Sequence, residues 1–205
     1  VTTYPPEPWH LGGELLVSAF LVPTREVPGA RLPDGRRPIR WGRRALVGVA
    51  FIHYAAGGVL QYEELLVALP SLPGPVVTIP LIWVDSAESR AGGRELWSIP
   101  KELGRFARQE TPAGASVALD GIARLDADVG SRLVPGMPRL PLTTLQSLDG
   151  RRVLSRNHVL GRVRRMRPRW TFDPDGPLAF LANRRPVFSV AIRDASITFG
   201  LDVER

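Results

Sequence analysis

Lys101 is the only lysine among 27 Lys and Arg residues, and it stands inside GGRELWSIPKELGRF, residues 92–106. An amine can lose its proton on desolvation, attack a carbonyl and form an imine, whereas a guanidinium stays protonated. A chain that uses arginine at every other basic position does not need a lysine for charge alone. On composition alone, an accidental surface survivor explains Lys101 equally well. Other chemistries find little support. The three histidines, His10, His53 and His158, form no metal-ligand spacing with carboxylates, and no HExxH, GxSxG or GxxxxGK[ST] motif occurs. His53 alternates within an apolar strand and reads as a core or rim residue. The absence of cysteine excludes disulfides, thiolate metal sites and cysteine nucleophiles.

The elements that must hold Lys101 are short and extended. Twenty prolines and twenty glycines punctuate apolar runs, a pattern of many strands and few helices. Strands are expected at 14–22, 45–54, 59–69, 76–84, 115–127, 158–166 and 186–200, with loops at 23–41 and 130–144. Asp85, followed by Ser86, Ala87 and Glu88, is the clearest helix start, with the helix running from Ser86 to Leu96 and weakened by Gly92 and Gly93. Pro100 disfavours helix at Ile99, so Lys101 falls just past the helix, at the entry to the next extended segment. The expectation is one antiparallel, β-rich α+β domain over 1–205 with one or two short helices.

Bulk properties narrow the partners. The hydrophobic fraction of 44% suits a globular chain. No apolar run approaches a membrane span, no signal-peptide pattern opens the chain, and a cytoplasmic protein is the default expectation. The formal charge of +7 raises nucleic acid, but the densest arginine stretch, residues 151–170, interleaves Val153, Val159, Val163 and Met166. That pattern fits a strand with one wet face, and a nucleic-acid partner is not expected.

The segment GRELWSIPKELGRF resembles the active-site segment of the acetoacetate decarboxylase family, in which Gly-Arg-Glu-Leu leads to Pro-Lys-Lys-Leu. The matching residues are Gly93, Arg94, Glu95, Leu96, Pro100, Lys101, Leu103 and Gly104. GGVLQYEEL, residues 57–65, is similar to the family's glycine-containing segment ending in Tyr-x-Glu, here Tyr62 and Glu64. PWHLGGELL, residues 8–16, is a weaker match to its first strand. The resemblance covers roughly residues 8–110 and implies a β-barrel or cone-like fold, a homo-oligomer, and no cofactor. It makes Lys101 the Schiff-base lysine and Glu64 the active-site glutamate. Arg94 and Glu95 are expected mainly to fix the turn before Lys101.

Three departures bear on the substrate. Glu102 stands where the family has a second lysine, and a carboxylate there would raise the Lys101 pKa unless strand alternation turns it away. The first strand reads HLGGELL and lacks the family's arginine. A further family glutamate falls among Val49, Ala50 and Phe51. With Glu102, Tyr62, Arg94, Trp97, Phe51 and Trp83 as expected substrate contacts, joined by Trp9 and Phe20, the site should be apolar. The resulting expectation is a divergent lyase that acts on a bulky, largely apolar carbonyl compound through a Lys101 imine. Aldol chemistry, dehydration, cyclisation and decarboxylation all stay open. The alternative is a non-covalent β-barrel cyclase or binder of an apolar small molecule.

Overall fold

Extended segments between the prolines and glycines become the strands of a computed structural model, which describes residues 3–27, 32, 33 and 35–205. In chain order these are β1 (Trp9–Pro23), the short β2 (Arg37–Pro38) and β3 (Arg40–Trp41), β4 (Arg44–Tyr54), β5 (Tyr62–Leu72) and β6 (Val76–Val84). A helix, α1 (Ala87–Trp97), leads into β7 (Lys101–Leu103). The chain then forms β8 (Phe106–Thr111), β9 (Gly114–Leu119), β10 (Ala123–Arg132), β11 (Arg139–Leu148), β12 (Arg151–Phe172) and β13 (Phe188–Glu204).

The strands make one sheet, ordered β11-β6-β5-β4-β1-β13-β12-β10-β9-β8. Its central strands are apolar at successive residues because both faces are covered. In register, Leu16 lies opposite Phe51 and Phe51 opposite Leu65, and all three enter one core. One residue along, Leu15, Ile52 and Glu64 form the matching row on the other face, where Trp9, Tyr54, Tyr62 and Trp97 build a second core. Strand alternation therefore sorts neighbouring residues into two separate environments.

The barrel or cone expected from the sequence does not form. A barrel needs every strand paired on both edges, but β8 ends the sheet order beyond β9. The contact that would complete a ring, β11 with β6, is a single parallel bridge, Thr144 to Val77. The cause lies in β12, whose 22 residues are long enough to serve two partners on one edge. Arg151–Leu160 pairs with β11 and Arg164–Phe172 with β10, while β13 takes the other edge. The sheet forks there. Charged Arg108 and Glu110 on β8 suit a sheet end, since charge discourages pairing with another chain.

Other boundaries moved for local reasons. The run 115–127 is a hairpin rather than one strand, broken by a turn in which Gly121 takes φ 66°, a conformation that favours glycine. Residues 139–144 of the expected loop belong to β11, drawn into the sheet by β12. Among the described residues the expected loop 23–41 holds a 3-10 turn, Thr24–Glu26, and the two short strands, and part of it lies outside them. Among the described residues α1 is the one α-helix, starting one residue later than expected. Its cap is Ser86, whose Oγ accepts from Ser89 N at 3.0 Å, while Asp85 instead accepts from Glu63 N on β5. Along β12, arginines face outward and several meet carboxylates: Arg156 with Asp202 and Glu204, Arg162 with Asp194, and Arg169 with Asp128.

Candidate active site

The placement of Lys101 begins at the end of α1. Ser98 closes the helix in the left-handed conformation (φ 54°), and its N–H donates to Gly93 O. Arg151 reaches over from β12, donating through Nε to Ser98 Oγ at 2.9 Å and through Nη2 to Arg94 O at 2.7 Å. A cation at the carbonyl end of a helix is favourable. Pro100 follows, and Lys101 opens β7 beside Ile82 of β6. The two glycines of the GG pair have separate tasks. A Cβ on Gly93 would stand 2.7 Å from Lys101 Cδ and 2.8 Å from Cε, and one on Gly92 would overlap the Trp9 ring. Each glycine costs the helix about 1 kcal/mol relative to alanine, and the lysine stem and the indole occupy the room they leave.

Lys101 is 4% exposed and Glu64 3%. The ammonium Nζ donates to Glu64 Oε2 at 2.7 Å, to Ser89 Oγ at 2.9 Å and to Tyr62 Oη at a long 3.4 Å. It also lies 5.1 Å from the Tyr62 ring centre, within cation–π range. Tyr54 Oη donates to the other carboxylate oxygen, Glu64 Oε1, at 3.2 Å. Burial by itself would lower the Lys101 pKa, but the Glu64 carboxylate and the Tyr62 hydroxyl outweigh it and hold the pKa above its ordinary value. The resting group is an ammonium. Burial, offset in part by Lys101 and reinforced by Glu64, pushes Tyr62 up to about 12. Tyr54 is raised well above its usual value by burial, by Glu64 and by Tyr62. Both phenols are therefore neutral donors at pH 7.

Around this cluster the chain encloses a cavity of about 70 Å³. Apart from Lys101, Glu64, Tyr54 and Tyr62, its lining is apolar, including Trp9, Leu66, Trp97, Leu142, Val159 and Phe199. The indole of Trp97 sits between Trp9 and Phe199, edge-on to both at centroid distances of 4.8 and 4.7 Å. Among the described residues no arginine lines the cavity.

Of the residues expected at the site, the structure brings Lys101, Glu64, Tyr62 and Trp97 together. Glu102 is turned away by strand alternation. It is exposed, and its carboxylate pairs with Arg94 at 3.0 Å and Arg90 at 3.7 Å. Arg94 also donates to Lys101 O, so it braces the turn from outside. Phe51 and Trp83 pack into the opposite core, where Phe51 stacks on Trp170 at 5.5 Å, and Phe20 joins them there. His53 shares that face and bonds Glu63. Sequence reasoning missed Tyr54 and Ser89. Tyr54 could have been found from the register that sets it opposite Tyr62. Ser89 carried no signal beyond a place one turn into the helix.

A single forked sheet that buries one amine and one carboxylate in a small apolar cavity has the acetoacetate decarboxylase-like fold. Residues 3–142 match the family model for acetoacetate decarboxylase (ADC), and the chain belongs to that family, one of lyase-type enzymes of small carbonyl compounds. No curated protein matches it by sequence. Among solved structures, acetoacetate decarboxylase from Legionella pneumophila superposes with a TM-score of 0.74 at 19% identity, over 97% of this chain and 87% of that one. The enduracididine biosynthesis enzyme MppR in complex with pyruvate gives 0.68 at 18% identity, covering 99% and 91%. An acetoacetate decarboxylase-like enzyme from Sphingomonas wittichii RW1 gives 0.67 at 16%, covering 96% and 91%. At these identities the likeness is one of fold. Among the described residues no helix is long and apolar enough to cross a membrane.

Proposed function

We propose that this protein is a lyase that processes a neutral carbonyl compound through an imine on Lys101, with Glu64 as its proton acceptor and donor. The observation that carries this reading is the 2.7 Å contact of a buried lysine with a buried glutamate in an otherwise apolar cavity. Lys101 first passes a proton to Glu64, a short transfer in a site where two formal charges become none. The neutral amine adds to the carbonyl carbon, and the proton held by Glu64 lets the hydroxyl of the adduct leave as water. The resulting iminium draws in the electron pair of a bond from the adjacent carbon to hydrogen or to another carbon. Protonation of the enamine and hydrolysis then restore the amine. Ser89 and Tyr62 hold Nζ in place between these steps.

The lining favours a substrate without a carboxylate. Among the described residues Lys101 is the sole cation facing the cavity, and it is consumed as the nucleophile, so none of them leaves a fixed positive charge for an acid group. Reduction with borohydride in the presence of a neutral ketone should trap an adduct on Lys101, found by peptide mass mapping, and Lys101→Arg should lose it. An unmodified Lys101 under turnover conditions would reject the imine.

A second reading rests on the three hydrogen bonds that Lys101 Nζ donates, to Glu64, Ser89 and Tyr62, which favour its protonated form. A permanent ammonium could donate a hydrogen bond to a polarised carbonyl and promote cyclisation without covalent attachment. It predicts no trapped adduct, together with ligand binding that survives Lys101→Ala.

A further inference from the structure

Among the described residues Glu64 is the one carboxylate lining the cavity, and the proposed reaction requires it to serve the amine, the adduct hydroxyl and the adjacent carbon in turn. Its two oxygens have different partners. Oε2 accepts from Lys101 Nζ at 2.7 Å, and Oε1 accepts from Tyr54 Oη at 3.2 Å. The last torsion of a glutamate is broad and roughly two-fold, so a carboxylate held at one oxygen can turn and present either. Held at both oxygens, it keeps one orientation.

The fold fixes Tyr54 for that second contact. Tyr54 lies opposite Tyr62 in the β4–β5 ladder, while Glu64 lies opposite Ile52. The phenol therefore reaches Glu64 along the diagonal of the ladder, a separation that an aromatic side chain can span. Its ring is buried and packs on Tyr62, with centroids 4.3 Å apart and planes inclined by 32°. On the other edge of β4, Tyr54 is opposite Gly13. A Cβ on Gly13 would stand 1.8 Å from His53 O, so glycine lets β1 close against this end of β4. Ala55 N donates to Gly12 O at 2.8 Å and secures the chain just past the phenol. Burial and the Glu64 charge keep the phenol protonated, so it stays the donor in its bond to Oε1.

We infer that Tyr54 is a positioning residue: by holding Glu64 Oε1 it leaves Oε2 as the single oxygen that exchanges protons with the substrate, so protons leave and return at one face of the carbon next to the carbonyl. This rests on the reading of Glu64 as proton acceptor and donor given above. When a hydrogen leaves that carbon, its bonding pair forms the carbon–carbon double bond of the enamine. The iminium nitrogen takes up the displaced pair, and Oε2 gains the proton. The return step reverses each movement. Tyr54 acts only through the carboxylate.

The test uses pentan-3-one, a neutral ketone with two methylene groups, in D2O. NMR follows exchange of the methylene hydrogens, chiral derivatisation of the singly deuterated ketone gives the face, and borohydride trapping reports the imine separately. Wild-type protein should exchange one hydrogen of each methylene in clear preference to the other. Tyr54→Phe keeps the ring and loses the hydroxyl. It should still form the Lys101 adduct, but exchange should slow by about tenfold to hundredfold, the value of one hydrogen bond to a charged group, and the two faces should approach parity. A 3-fluorotyrosine at position 54 restores the hydroxyl and should restore the preference, which a role in packing alone does not predict. An unchanged rate and preference in Tyr54→Phe would overturn the inference, as would a wild type that exchanges both faces equally or neither. Exchange at one face without any adduct would reject the imine and leave Glu64 and Tyr54 in their roles, because enolisation of a carbonyl held by the Lys101 ammonium needs the same base.

Discussion

The alkyl stem of Lys101 lies across Gly93 so closely that a Cβ there would stand 2.7 Å from Cδ. The lysine's path is therefore cut into the helix that precedes it. Gly93→Ala would raise helix propensity by about 1 kcal/mol, yet overpacking costs about 1–3 kcal/mol, so a net loss of stability is expected. The displaced amine should also lose borohydride adduct, read per folded molecule by mass mapping after thermal melting has established the fold.

Glu64→Gln separates the pair's two roles. The buried ammonium loses its counter-charge, and breaking such a pair costs about 3–5 kcal/mol. With Glu64 gone, burial dominates and the Lys101 pKa falls. The pH at which adduct formation rises should therefore move down relative to the wild type. Turnover should fall by about 10²-fold or more, since proton transfer is lost. An unchanged pH profile would show that Glu64 does not set the lysine's charge.

The wild-type pair also gives a signed pH dependence for folding. The Lys101 pKa in the folded protein is raised above its ordinary 10.5, so the folded state binds this proton more tightly than the unfolded state. The stabilisation is fully present below 10.5 and is lost as pH rises through the higher folded value. Denaturant midpoints should fall in strongly alkaline solution, and Lys101→Met should lack that lysine-specific part.

Glu102→Gln tests the direction of strand alternation. Glu102 is exposed and paired with Arg94 and Arg90 on the outside, where such pairs contribute about 0–1 kcal/mol. The melting temperature should barely move, and the pH profile for trapping at Lys101 should stay where it is. A shifted profile would mean that Glu102 faces the amine in solution.

Phe51→Ala probes the opposite core. Phe51 is fully buried against Trp170 and Phe106, and removing such a ring costs about 3–5 kcal/mol. Stability should drop by that amount in urea titrations. The fraction of folded molecules that form the Lys101 adduct should not change, because Phe51 lies across the sheet from the cavity.

The residue pattern by itself determined a good deal. The lone lysine after GREL and proline, and Tyr62 and Glu64 two apart on a strand, marked the amine and the carboxylate that meet. Alternation also allowed Glu102 to point away, since side-chain direction on a strand is a local property. What only the tertiary structure decided were matters of register and partner. Phe51 and Trp83 look like plausible pocket residues until pairing assigns them to the other face, and Tyr54 and Ser89 join the site only through contacts set by β5 and α1. The open, forked sheet depends on how a 22-residue strand divides one edge between two partners. Nothing in the local sequence of β12 specifies where that division falls, because it is set by long-range pairing of segments far apart in the chain.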